Sequence, residues 1–399
     1  MKRILFVIDS LNCAGAEKSL ISLLNLIDYS KYNVDLQLFG YGGVLERLLP
    51  KDVNLLSPLD YTKFSSENLK NLFTEIKDVK TMRMLIARLK FSTNIRIKKR
   101  DNIEKTRIFW GLIGRFIEKN STYYDIAISY SQGIPTFYVA EKINANKKIA
   151  WVNTDYRLNS KEKIFQERYY NLYKNIIIVS DSSKEIFLET FPKYKEKTKV
   201  IYDINNYDFI KKMSLVNEEY IEKLNQFKGI KIITLARLTE EKRLDRVLNA
   251  AKRLKDTNIH FKWLILGEGK LENKLKLEIK KKNLKENIIL LGLKINPYPY
   301  IKACDIYVQT SDLEGFGLAI AEARMLNKPV VTTRFDAVFN QMIHEKNGLV
   351  VDMNSEAVFN GIMRLINDES LRKNIIKYLE NEKKGNVEEI DKFYKLIES

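Results

Sequence analysis

Short apolar runs alternate with longer stretches of helical period along most of this chain. A first series contains RILFVI, NVDLQLF, YDIAISY, KKIAWV and NIIIVS, and a second contains GIKIITLA, FKWLILG, NIILLG, CDIYVQTS and KPVVTT. Short buried runs followed by amphipathic segments such as EKRLDRVLNAAKRLKD predict βαβ units and parallel sheets. Two such series predict an α/β protein of two doubly wound, Rossmann-like domains. The polar, aromatic passage KVIYDINNYDFIKKMS is the expected junction, giving domains over residues 1–205 and 206–379. The closing segment, residues 380–399, ends in the amphipathic EEIDKFYKLIES with no strand after it, and is expected to pack back on the first domain.

The totals agree with that picture. The chain has 399 residues, of which 45% are hydrophobic, enough for two cores of ordinary size. It contains no run of eighteen apolar residues, so no spanning helix is expected. The opening MKRILFVIDSL is interrupted by Asp9 and lacks a small-residue cleavage site, so it reads as a first buried strand and not a signal peptide. Cys13 and Cys304 fall in different predicted domains, which argues against a disulfide framework and for a reducing, cytoplasmic home.

Charge changes the picture in one place. The formal net charge is +17, and residues 77–119 hold 13 Lys or Arg against 4 Asp or Glu. Within them MLIARLKF and RIFWGLIGRFI interleave apolar and basic residues at helical spacing. Such helices lie on anionic membrane surfaces, each basic residue adding about 1 kcal/mol. Peripheral contact at the inner face of the plasma membrane is the expectation, with the basic run from Arg96 to Arg100, including Lys98 and Lys99, as its most charged part. No zinc spacing or RNA-binding signature accompanies the charge, so nucleic acid is not expected as a partner.

Candidate chemistry concentrates in the second domain. Ligands of open parallel sheets bind at the carboxyl ends of the strands, between the sheets of a two-domain protein. In EGFGLAIAE, residues 314–322, Glu314 follows a strand and Glu322 lies one turn into the next helix. Gly315 and Gly317 let the backbone turn sharply, and the amides near Phe316 and Leu318 point at an anion, helped by the helix dipole. Arg237, at a strand end in ITLARLTEEK, and Lys242, at a helix start, would supply cations for a diphosphate. Gly267 and Gly292 end two further strands. His260 and His344 read as structural or solvated.

The order ARLTEEK, LILGEG, ILLGLKINPYPYIKACDIYVQTS, EGFGLAIAEA and NKPVVTT resembles the donor domain of retaining glycosyltransferases of family 4, which have the GT-B fold. The two glutamates match that family's E-x7-E element, and LNCAGAEKSL and IAWVNTDY extend the resemblance into the first domain. The resemblance implies a nucleotide-diphosphate sugar donor, UDP-sugar favoured, with Arg237 and Lys242 neutralising the diphosphate. It implies that Glu314 contacts the sugar, that Glu322 contacts the ribose, and that backbone amides from Gly315 to Leu318 bind sugar and phosphate. Gly267 belongs to the same donor site, Gly292 and Leu293 lie near the base, and Gly15 closes the site from the acceptor side. Asn153 stands where relatives often carry His, with Asp155 and Tyr156 following in the same loop. No Asp-x-Asp is present, so cationic side chains replace a metal and no cofactor is expected. A retaining transfer to a lipid-linked glycan acceptor in bacterial surface polysaccharide assembly is the leading expectation. A protein or teichoic-type acceptor, or a non-catalytic subunit of the same fold, are the alternatives.

Overall fold

The computed structural model describes residues 1–12, 15–67, 78–97, 100–154 and 156–399. Cys13, Lys98, Lys99 and Asp155 lie outside the described residues. The chain divides into two compact units, one of residues 1–202 with 390–399 and one of residues 203–389. The division falls three residues before the expected junction, and the returning segment starts at residue 390, not 380.

The first unit carries β1 (Lys2–Ile8), β2 (Tyr32–Leu38), β3 (Val53–Leu55), β4 (Tyr123–Ser129), β5 (Asn144–Val152), β6 (Asn175–Ile178) and β7 (Thr198–Val200). They form one sheet in the order β3-β2-β1-β4-β5-β6-β7. The second carries β8 (Ile230–Leu235), β9 (Phe261–Leu266), β10 (Ile288–Gly292), β11 (Ile306–Gln309), β12 (Val330–Thr333) and β13 (Gly348–Val351), in the order β10-β9-β8-β11-β12-β13. Every ladder is parallel. Parallel strands need crossovers, and helices on both faces explain the near-continuous apolar runs. The alternation is direct in the second unit: Ile232, Trp263 and Ile306 enter the core on one face, while Ile233, Leu264 and Tyr307 enter the core on the other.

All ten apolar runs became strands. The three strands that the pattern did not mark, β3, β7 and β13, are short edge strands of the two sheets; β3 and β7 are three residues long and bury little, whereas β13 is buried but only four residues long. In both sheets the chain reverses its winding beside the first strand, between β1 and β4 and between β8 and β11. These are the topological switch points at which ligands of such sheets bind.

The last helix, Glu389–Glu398, buries Phe393, Leu396 and Ile397. Phe393 stacks on Phe6 of β1 with centroids 6.1 Å apart, and Tyr394 stacks on Tyr32 of β2. Lys147 reaches the carbonyl of Leu396. The final turn is thus part of the first unit's core.

Candidate active site

The switch point of the second sheet gathers the expected residues at the carboxyl ends of β8 and β11. Glu314 lies five residues beyond Gln309, the last residue of β11, and Lys242 ends a short turn, Glu240–Lys242. Lys242 Nζ donates to Glu314 Oε1 at 2.7 Å, and both side chains are mostly buried. Gln309 Nε2 and Ser311 Oγ donate to the same oxygen, each at 2.7 Å. Three donors on one carboxylate oxygen fix its rotamer and offset its desolvation. Gln309 is itself oriented by Tyr307, whose hydroxyl donates to Gln309 Oε1 at 2.5 Å.

The two loops that carry Lys242 and Glu314 are tied together through the backbone. Thr310 Oγ1 donates to the Lys242 carbonyl at 2.9 Å, and the Asp312 amide donates to the Glu241 carbonyl at 2.9 Å. Arg243 adopts a left-handed backbone with φ of 49° and pairs with Asp245 and Asp312. Those two pairings push the always-charged Arg243 guanidinium still higher. Arg246, buried, bonds the Thr310 carbonyl at 2.9 Å and Asp312 at 2.6 Å. Relative motion of the two loops would break several charge-assisted bonds at once.

The Gly-Phe-Gly turn follows. Gly317 has φ of 82° and precedes the helix Leu318–Met325, which has no side-chain cap. Other helices do carry one: Ser180, Asn206 and Asn354 each accept an amide of the first turn that they precede. A side chain at Gly317 would also press on Gln341 Nε2, 3.1 Å from an added Cβ. Gln341 holds the turn by donating to the carbonyls of Phe316 and Gly317. An uncapped helix start behind a fixed turn is an anion-binding arrangement.

Two of the expected site residues have protein partners in this structure. Glu322 is buried, and Tyr298 donates a hydrogen bond to its Oε1 at 3.1 Å. Arg237 is exposed and lies 3.7 Å from Glu241, so it is not joined to the Lys242–Glu314 pair. At the far side, the Gly267 amide donates to the Gly292 carbonyl at 2.8 Å, joining the ends of β9 and β10. Leu293, next to Gly292, is half-buried. Gly267 is packed so closely on β8 that a Cβ would fall 2.0 Å from the Ala236 carbonyl.

The switch point of the first sheet presents a second polar group. Ser131 Oγ donates to Asp9 Oδ2 at 2.9 Å, and Ser10 Oγ donates to Glu17 Oε1 at 2.6 Å in the helix that Gly15 begins. Desolvation pushes the Asp9 carboxyl up to about 6; Glu17 adds to the rise and Ser131 opposes it. Asp9 is exposed as a residue, which limits that desolvation and leaves water within its reach. Asn153 donates from Nδ2 to the Tyr130 carbonyl at 2.7 Å, while its Oδ1 is buried with no hydrogen-bond partner among the described residues. Tyr156 is buried and bonds Gln166. His260 packs on Phe227, and His344 Nδ1 accepts the Val350 amide, both structural roles.

With this geometry in hand, similarity to known proteins is informative. Residues 216–382 match the family model of glycosyl transferases group 1. An uncharacterized glycosyltransferase of Methanocaldococcus jannaschii, MJ1059, is 29% identical over 298 residues, 64% of this chain and 73% of that protein. The chain has the GT-B fold, and its second unit is similar to glycosyltransferases. The chain is 29% identical over 207 residues to N-acetylgalactosamine-N,N'-diacetylbacillosaminyl-diphospho-undecaprenol 4-alpha-N-acetylgalactosaminyltransferase of Campylobacter jejuni, a match over 51% of this chain and about half, 54%, of that one. In fold it is similar to the crystal structure of Anabaena Alr3699/HepE in complex with UDP and glucose, with a TM-score of 0.69, 18% identity and 99% of each chain covered.

Sequence reasoning missed Gln309, Ser311, Gln341 and Tyr298. One signal was available: Gln309 is a polar residue closing an otherwise apolar strand, IYVQ, and such a buried amide must have partners. Gln341 and Tyr298 act from distant segments and left no local mark.

Proposed function

We propose that the protein transfers a sugar from a nucleotide-diphosphate sugar to a glycan acceptor, with retention of the anomeric configuration and without a metal. The observation that carries this is the Lys242–Glu314 pair, held by Gln309 and Ser311 beside the uncapped helix start. The first-turn amides from Gly315 to Leu318 receive the diphosphate, with Lys242 and the exposed cation Arg237 matching its charge. Glu314, pinned through Oε1, presents Oε2 to a sugar hydroxyl. Glu322 reaches the ribose by releasing Tyr298, and Gly267, Gly292 and Leu293 border the base.

In the reaction the bond from the anomeric carbon to the diphosphate breaks as the acceptor oxygen attacks the same face. The diphosphate leaves with the electron pair and takes the acceptor's proton, so no separate base is required. Cations aimed at the departing charge contribute most, because they are ordered before the charge develops. UDP is the favoured nucleotide, supported by the UDP-bound Anabaena structure. A lipid-linked acceptor at the inner face of the plasma membrane is supported by the undecaprenol-linked substrate named for the Campylobacter protein.

The test is release of free UDP, ADP or GDP from a panel of sugar nucleotides, with and without a lipid extract containing polyprenyl-diphosphate glycans. Release that requires one sugar nucleotide and the extract together supports the reading. Release from none of them, by a protein that still binds the nucleotide, points to the non-catalytic alternative.

A further inference from the structure

The basic region of the first unit separates into two helices with opposite fates. Asn102–Ile113 sends its apolar residues inward: Trp110 and Ile113 are buried, and Phe109 meets Tyr61 and Phe91 edge-on. The adjoining Ile117 is buried as well. The RIFWGLIGRFI stretch therefore supplies core and not a membrane-facing surface. The helix Val79–Ile97 differs. Its Met84, Leu85 and Ala87 pack inward, yet Val79, Met82, Ile86 and Leu89 remain exposed at 59%, 44%, 45% and 38%.

At 3.6 residues per turn those four side chains fall within an arc of about 80° on the solvent side. Arg83 and Lys90 border that arc on one flank, Arg96 lies toward the other, and Lys80 stands further round. All four cations are exposed, whereas Arg88 turns back to the carbonyls of Phe64 and Glu67. The helix contains no Asp or Glu.

We infer that the solvent face of Val79–Ile97 docks on an anionic lipid surface, with Val79, Met82, Ile86 and Leu89 entering the acyl boundary and Arg83, Lys90 and Arg96 meeting headgroup phosphates. Exposed apolar side chains in water are unfavourable, and a stripe of this width between cations matches an interfacial helix lying in the membrane plane. A second copy of the chain is a poorer occupant, because a two-fold pairing of this face would set its cations against the same cations. A polyanion without an apolar phase would satisfy the charges and leave the stripe wet. The inference rests on the proposed membrane-borne acceptor only for its purpose; the docking itself is independent of donor chemistry.

The experiment is sedimentation of the full chain with vesicles of equal parts phosphatidylglycerol and phosphatidylcholine, and with phosphatidylcholine alone. The intact protein should favour the anionic vesicles by about tenfold or more, since each cation near such a surface contributes a several-fold gain. Met82→Ser/Ile86→Ser/Leu89→Ser should lower partition on anionic vesicles by about tenfold. Arg83→Gln/Lys90→Gln should erode the preference for anionic over neutral lipid, and the emission added by Ile86→Trp, read as the difference from the intact protein with its three tryptophans, should shift to the blue on binding. Undiminished binding by the serine variant, or no binding by the intact protein, overturns the inference. So does a concentration-dependent dimer that disappears in the serine variant while vesicle binding does not change. UDP calorimetry separates the two readings: absence of UDP binding by an intact protein that docks counts against the donor site alone, and UDP binding retained by the serine variant alongside lost docking supports the lipid face.

Discussion

The two switch points share a topology and differ in the polar groups they present. In the second unit, Glu314 is fixed by Lys242, Gln309 and Ser311, and the loops beneath are tied through Thr310, Asp312 and Arg246. In the first, Asp9 and Glu17 each hold a serine hydroxyl, and the segment between them includes residues outside the described structure. The difference fits a division of labour. A diphosphate leaving group presents the same charge in every turnover, so rigid donors ordered in advance serve it best.

That contrast can be broken most severely at Lys242. Lys242→Met should reduce transfer by about 10²–10³, the scale of a lost transition-state donor. It should also weaken UDP binding, measured by calorimetry. Transfer within about threefold of the intact protein would remove Lys242 from the mechanism.

Gln309→Leu should be milder, because Lys242 and Ser311 still hold Glu314 Oε1. We expect about a tenfold fall in kcat with KM for the donor little changed, as losing orientation acts on the reacting geometry more than on binding. Gln309→Glu, which keeps the shape but removes the amide donor beside Glu314, should be at least as harmful. Ser311→Ala combined with Gln309→Leu should cost less than the sum of the two, since both serve one oxygen. Strict additivity would show that the shared oxygen is not what matters.

Across the contrast, Asp9→Asn should leave UDP affinity within about twofold while changing KM for the acceptor. Equal change in both would undo the division between the units. The smallest effect expected is on stability. A carboxyl whose folded pKa lies near 6, above its usual 3.8, favours the folded state when protonated. Its contribution is complete below pH about 4 and is lost as pH rises through about 6. Because Asp9 is exposed as a residue, solvent screening holds the effect under ~1 kcal/mol. Thermal unfolding of Asp9→Asn should show a flatter pH dependence over that window.

The large features were legible in the chain because burial leaves a mark. Ten apolar runs became strands, and the winding of both sheets followed from their spacing with amphipathic segments. The E-x7-E spacing located Glu314, and ITLARLTEEK located Lys242. What was illegible depends on partners far along the chain. Nothing local tells that Tyr298 bonds Glu322, or that Gln341 clasps the turn at Phe316 and Gly317. Periodicity showed that residues 102–117 are amphipathic but not what their apolar side meets, and it meets the core. The same pattern over residues 79–97 leaves an apolar face in solvent. Only the packed structure separates the two.

The central claim is that the second unit holds a nucleotide diphosphate on Lys242 and the amides beside Glu314. Its most direct test is calorimetric binding of UDP, GDP and ADP to the full chain in excess EDTA, repeated on Lys242→Met and Glu322→Ala. The account predicts clear binding of one nucleotide, UDP, without added metal, and its weakening in both variants. Binding of none of the three, or binding that neither variant disturbs, would contradict it.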